Sequence, residues 1–268
     1  MPELPEVETV RRHLECSVGS RLLNIDIGRA DILRREEFAP REIIGAQLTA
    51  ISRRGKFLIF HFGNGLYLIM HMGMSGRIYL LGEDEEATGA HIHLVLHLDN
   101  NTRIIYQDPR RFGGAWLVRD VETFFAHMGL EPLGKEFTSA SLAQMVAGRK
   151  VAIKTLLLNQ SLICGLGNIY ADEALFRAGI RPDRPAGSLG AKEIDHLWHA
   201  IREVLRHSLE HRGTTFRDFR DGHNQAGEFQ NQLQVYGKAE EPCPGCGKPI
   251  RRVRIGGRSS HFCEHCQK

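Results

Sequence analysis

His91-Ile-His-Leu-Val-Leu-His-Leu98 alternates with a period of two: Ile92, Leu94, Leu96 and Leu98 share one face, and His91, His93, Val95 and His97 share the other. That is the pattern of a half-buried strand rather than of a helix, whose apolar residues recur every three or four positions. Around it lie further strand-like runs, Leu22 to Ile27, Lys56 to Phe62, Leu66 to His71 and Arg77 to Leu81. Residues from about 21 to 119 therefore read as a mainly β unit, a sandwich or barrel. Before it, Pro5, with Glu6 and Glu8 in a first turn and Val7, Val10 and Leu14 on one face, predicts a short amphipathic helix over 5–15. After Trp116 the alternation stops, and Pro132 and Gly134 mark a linker within 121–134. Helices are expected over 139–161, 168–178 and 190–211, with Gly179 and Pro182 as stop signals after the second. The expected fold class is α+β: a β-sandwich domain over 1–130 preceded by a short helix, a helical domain over 131–236, and a terminal segment over 237–268. That last segment holds too little apolar material to fold unaided.

With 42% hydrophobic and 25% charged residues in 268, the chain has the composition of a folded domain pair and not of a disordered one. No stretch approaches the roughly eighteen apolar residues of a membrane span. The opening Met1-Pro2-Glu3-Leu4-Pro5-Glu6 is acidic and lacks the apolar core of a secretory signal, so a cytoplasmic protein is expected. Of the net charge of +3, residues 242–268 carry +5 (six Lys or Arg, one acid) and the preceding residues −2. A compact basic module on a near-neutral body suits phosphate binding. Cys16 and Cys164, each beside apolar neighbours, read as small buried hydrophobes.

The other four cysteines form Cys243-Pro-Gly-Cys246 and, with sixteen residues between, Cys263-Glu-His-Cys266. Two thiolates from each tight turn give closed tetrahedral coordination, the mark of one structural zinc. Between the pairs stand Arg251, Arg252, Arg254 and Arg258, with Gly256-Gly257 before the last. A zinc-stapled hairpin presenting arginine to phosphate is the expected product.

Cys164-Gly-Leu-Gly167-Asn168-Ile-Tyr170 joins two helices through a glycine turn, with Asn168 where an N-cap belongs. Exposed N–H groups at such a helix start bind anions, although a plain helix hairpin with a capping asparagine explains these residues equally well. At the N-terminus, trimming of Met1 would expose the secondary amine of Pro2 beside the carboxylate of Glu3. A neutral amine there can attack carbon, and the positive end of the following helix disfavours its protonated form.

Five separated blocks then carry a resemblance along nearly the whole chain: PELPEVETV from Pro2, RRGKFLIF at 53–60, HMGMSGR at 71–77, DPRRFG at 108–113, and GLGNIYADEALF with the four-cysteine segment. In this order they resemble the formamidopyrimidine-DNA glycosylase family. The resemblance implies a helix-two-turn-helix in the helical domain and a terminal zinc finger. It further implies excision of oxidised purines from double-stranded DNA through a Schiff base, followed by β,δ-elimination. Pro2 would be the nucleophile and Glu3 the proton donor, with Glu6 at best a helper. Lys56 would contact phosphate and donate a proton, and Arg258 would bind the phosphate at the lesion. Met74, Arg110 and Phe112 would fill the gap left by the extruded nucleotide; without the resemblance, core packing would be the natural reading of Met74 and Phe112. His71, His91, Arg149 and Asn168 match positions that touch DNA, and Arg217 to Phe229 aligns with a loop closing over the flipped base. A monomer is the default.

Two competitors share part of this pattern. An endonuclease VIII-type enzyme for oxidised pyrimidines opens PEGPE rather than PELPE and does not match the DPRRFG block. A zinc-finger DNA-binding protein without catalysis would explain the basic finger but leave Pro2, Glu3 and Lys56 without a role.

Overall fold

The computed structural model describes every residue of the chain except 83, 87, 88 and 216–226, and it groups them into two compact units. The first comprises Met1–His127 with His211–Gln230, and the second Met128–Glu210 with Asn231–Lys268. The expected linear split at 130 and 236 does not anticipate that His211–Gln230 packs with the first unit. Most of the expected closing loop, from 217 to 226, lies outside the described residues.

The first unit opens with helix α1 (Leu4–Leu14), whose Pro5 occupies the first turn, where a missing N–H costs nothing. Among the described residues nine strands follow: β1 (Leu22–Ile27), β2 (Leu33–Glu36), β3 (Leu48–Arg54), β4 (Phe57–Phe62), β5 (Tyr67–His71), β6 (Arg77–Leu81), β7 (Ile92–Leu98), β8 (Arg103–Gln107) and β9 (Gly114–Val118), then a short α2 (Val121–Phe125). They form a four-stranded sheet in the order β1-β7-β8-β6 and a five-stranded sheet in the order β2-β9-β5-β4-β3. One apolar core takes Leu94, Leu96 and Ile104 from the first sheet, Leu58, Phe60 and Met70 from the second, and Val7, Val10 and Leu14 from α1. The expected sandwich is thus present, with β2, β3, β8 and β9 added to the strands read from periodicity.

Two expectations change here. The register of β7 shifts between Ile92 and Leu94, a bulge that breaks the strict alternation. His93 turns inward to 3% exposure, and its Nε2 pairs with the carbonyl of Asp108 at 2.9 Å. Cys16 is exposed, because the chain leaves α1 through a tighter 3₁₀ turn at Glu15–Ser17 that rotates it off the buried face.

The second unit contains α3 (Ser139–Val146), α4 (Ile153–Leu157), α5 (Asn168–Ala178), α6 (Ala191–Glu210) and the hairpin β10 (Arg251–Ile255) and β11 (Arg258–Phe262). The single helix expected over 139–161 is two, separated where Gly148 adopts φ +67° and Arg149 bonds back to the Val146 carbonyl at 3.1 Å. Cys164 is buried as expected. Among the described residues, no helix is long and apolar enough to cross a membrane.

Candidate functional site

Pro2 is buried immediately before α1, and Glu3 occupies the N-cap with extended backbone. The Glu3 N–H donates to Glu6 Oε2 at 2.8 Å, and Glu6 Oε1 accepts from the Thr214 N–H at 2.7 Å. Glu6 therefore has both carboxylate oxygens engaged by backbone donors, which suits a structural clamp better than a proton carrier. Glu3 is only 2% exposed, at the positive end of the helix, beside the residue whose nitrogen is the candidate nucleophile.

Helix α1 packs against β3 and β4, and the turn between these strands carries Lys56, itself buried. In the register of β4 and β5, Phe57 stands opposite His71, and their rings are 4.7 Å apart. His71 Nδ1 accepts from the Gly73 N–H at 3.0 Å, which leaves Nε2 to carry the ring proton. Burial, and secondarily the charge of Lys56, push the pKa of His71 down to about 4. It is a neutral hydrogen-bond donor at physiological pH.

The two blocks expected to supply wedges are brought together as adjacent loops. A Cβ on Gly73 would lie 2.4 Å from the Gly113 nitrogen, and one on Gly113 would lie 2.1 Å from the His71 carbonyl oxygen, so only glycine permits this approach. From the first loop projects Met74, 40% exposed, and from the second Phe112, 61% exposed. Large apolar side chains this open are not core residues. The Arg110 guanidinium lies 5.8 Å from the centre of the Phe112 ring, a cation–π contact that holds the two as a pair. Exposed His91, at φ +72°, accepts the Asp108 N–H on its carbonyl at 3.0 Å. Asp108 and Ser75 lie inside these same blocks without a sequence signal that marks them; Ser75 Oγ donates to Asp108 Oδ1 at 2.6 Å, and both residues are buried.

In the second unit, the turn between α4 and α5 is stitched by Gln160. Its amide donates to the Leu158 and Leu166 carbonyls and its oxygen accepts from Gly165 N–H. Gly167, not Asn168, is the N-cap of α5; Asn168 is the first helical residue and makes no capping bond. Arg149 is exposed after α3, its backbone fixed by Gly187 N–H at 2.8 Å.

The four cysteine sulfurs lie within 4.8 Å of one another, with Cys243 to Cys266 at 3.8 Å and Cys246 to Cys263 at 3.5 Å. A tetrahedron with Zn–S bonds of about 2.3 Å has edges of about 3.8 Å, so this donor set fits zinc. The hairpin β10–β11 turns through Gly256 and Gly257 and presents exposed Arg258 at the start of β11. Its backbone is held from α4 and α5: Lys154 Nζ reaches Asp172 Oδ1 at 2.6 Å and the Ser259 carbonyl at 2.6 Å. Asp172 Oδ2 also accepts the His261 N–H at 2.9 Å. The Lys154 and Asp172 side chains are fully buried. A lysine and an aspartate eighteen positions apart gave no periodic or motif signal for this pairing.

A buried acid beside Pro2, exposed Met74 and Phe112 on paired loops, and an arginine-bearing hairpin stapled by four clustered cysteines are features of a DNA-lesion glycosylase. Family models agree: residues 1–115 match the formamidopyrimidine-DNA glycosylase N-terminal domain, 128–220 its H2TH domain, and 240–268 the zinc finger found in FPG and IleRS. A formamidopyrimidine-DNA glycosylase of Syntrophomonas wolfei is 54% identical over the full length of both chains. A Lactococcus lactis FPG variant solved with a Fapy-dG containing DNA superimposes with a TM-score of 0.92 at 36% identity, covering all of both chains. The wild-type Lactococcus protein with an oxidised pyrimidine containing DNA gives 0.91 at 36%, also over all of both chains. The chain belongs to the formamidopyrimidine-DNA glycosylase family. It is a DNA glycosylase for oxidised purines with abasic-site lyase activity, and it carries one structural zinc held by Cys243, Cys246, Cys263 and Cys266. The match along both chains also removes the competitor without catalysis and favours the purine enzyme over the endonuclease VIII type.

Proposed function

We propose that Pro2, freed by removal of Met1, attacks C1′ of the damaged nucleotide in duplex DNA while Glu3 supplies the proton that lets the base leave. The C1′–N bond breaks, the sugar ring opens, and an iminium joins Pro2 to C1′. The iminium acidifies the C2′ hydrogen; its loss expels the 3′ phosphate, and a second elimination expels the 5′ phosphate. Lys56, buried near neutral His71, donates a proton in the first elimination and contacts phosphate, and Arg258 binds the phosphate at the lesion. His71, His91, Arg149 and the backbone at Asn168 hold the strand, and Met74, Arg110 and Phe112 occupy the space the extruded nucleotide leaves, offsetting an extrusion cost of a few kcal/mol. The working form is a cytoplasmic monomer. The observation that carries the reading is the nearly full burial of Glu3 at the positive start of α1, next to Pro2.

Borohydride tests it. Reduction of the iminium during turnover on an 8-oxoguanine duplex gives a covalent protein–DNA adduct whose DNA-bearing peptide begins at Pro2. An N-terminal tag turns the amine into an amide and abolishes trapping and base release. Glu3→Gln keeps the amine but slows base release by about 10²–10⁴-fold. Undiminished trapping by a tagged protein of verified N-terminal mass refutes Pro2 as the nucleophile and makes Lys56 the next candidate.

A further inference from the structure

We infer that Asp108 is a positioning residue which, through Ser75, makes Met74, Arg110 and Phe112 one rigid wedge. The inference rests on the proposed gap-filling role of those three. Asp108 is fully buried, and its two carboxylate oxygens receive four donors. Oδ1 accepts Ser75 Oγ at 2.6 Å and the Arg110 N–H at 3.3 Å; Oδ2 accepts the Gly113 N–H at 2.9 Å and the Tyr106 hydroxyl at 3.3 Å. A carboxylate offers acceptor sites on both oxygens, so it can receive all four, the Tyr106 hydroxyl being shared with the His71 carbonyl at 3.3 Å.

The donors come from both loops. Arg110 and Gly113 flank Phe112 in one, and Ser75 follows Met74 in the other. The same loop is gripped from outside, where an Arg34 Nη2 donates to the Arg111 carbonyl at 2.9 Å and to the Gly113 carbonyl at 3.1 Å. The peptide of Arg111 is held at φ +56°, a conformation that a side-chain-bearing residue keeps only under such constraint. With Gly73 against Gly113, the loops have no room to slide past each other. Insertion into a base stack is a matter of orientation, and a wedge whose parts move independently wastes contacts in the extruded state.

The test compares single-turnover excision from an 8-oxoguanine duplex with cleavage at a preformed abasic site, where no base pair has to be broken. The proteins are wild type, Ser75→Ala, Asp108→Asn, Arg110→Ala and the Ser75→Ala/Arg110→Ala pair. Asp108→Asn turns an N–H₂ toward donors, whereas Ser75→Ala removes only the bridge between loops. Both slow lesion excision roughly ten- to hundredfold and change abasic cleavage by less than about threefold. The double variant is no slower than Arg110→Ala alone, because Ser75 acts through the wedge. If Asp108→Asn fails to fold, Ser75→Ala decides. Arg110→Ala showing the selective loss while Ser75→Ala matches wild type, or loses equally on both substrates, overturns the inference and leaves the gap-filling role standing. No selective loss in Arg110→Ala overturns the gap-filling role itself.

Discussion

Arg53 and Glu8 form a mostly buried ion pair, Nε to Oε2 at 3.2 Å, that ties the end of β3 to α1. The same guanidinium donates to the Gly55 carbonyl at 2.9 Å, one residue before Lys56. The helix that follows Pro2 and the turn that carries Lys56 are thereby fixed through one side chain. Glu8→Gln is expected to cost about 1–2 kcal/mol of stability, the worth of a charge-assisted hydrogen bond, and to slow borohydride trapping more than substrate binding. Urea unfolding and a binding titration on a non-cleavable abasic analogue separate the two effects; a change in affinity alone would count against this link.

Zinc holds the hairpin where the chain has few apolar residues to do so. One tightly bound zinc per chain is expected by metal analysis under reducing conditions. Chelation, or Cys246→Ser, should abolish DNA binding while circular dichroism shows the β-rich unit still folded. DNA binding at full strength by a zinc-free protein would contradict this.

His71 sets a pH window for stability. Its pKa is about 4 when folded, against the usual 6.5, so between these values the unfolded chain binds more protons than the folded one. The contribution is fully present above pH 6.5 and is lost as pH falls through 4, amounting to at most roughly 3 kcal/mol. His71→Gln should flatten the stability profile across that window in denaturant titrations at several pH values. An unchanged slope would show that another group governs it.

Lys154→Met leaves Asp172 charged in a dry interior and is expected to cost about 3–5 kcal/mol in the zinc-loaded protein. Adding Asp172→Asn should recover part of that loss, because the buried charge is gone while an acceptor for the His261 N–H remains. Additive losses in thermal unfolding would mean that the two side chains do not act as a pair.

Much of this was legible in the chain because local chemistry decides it. Pro5 and Glu6 mark the start of α1, the cysteine spacing marks the zinc site, and the alternation of Leu94, Leu96 and Leu98 marks a sheet. What escaped depends on long-range geometry. A bulge carried His93 inward, and no local residue announces it. Strand β8, Arg-Ile-Ile-Tyr-Gln, is too short for periodicity to register; the Asn100-Asn101 turn before it, with Asn101 at φ +61°, was the available signal. Composition and periodicity alone would have put Met74 and Phe112 in the core; the resemblance placed them in the gap, and their exposure on the loops that Gly73 and Gly113 press together agrees with it. Asp108 stood in a quoted block, but its four donors come from residues up to thirty-three positions away.

The grip of Lys154 and Asp172 on the β10–β11 hairpin falls on two main-chain atoms, the Ser259 carbonyl and the His261 N–H, and on one buried side chain, the His261 ring. None of these is an exposed arginine of the hairpin. The anchorage of the hairpin and the display of its arginines therefore rest on different groups: loss of the Arg258 guanidinium takes away a cation and leaves the Lys154 and Asp172 contacts beneath it in place.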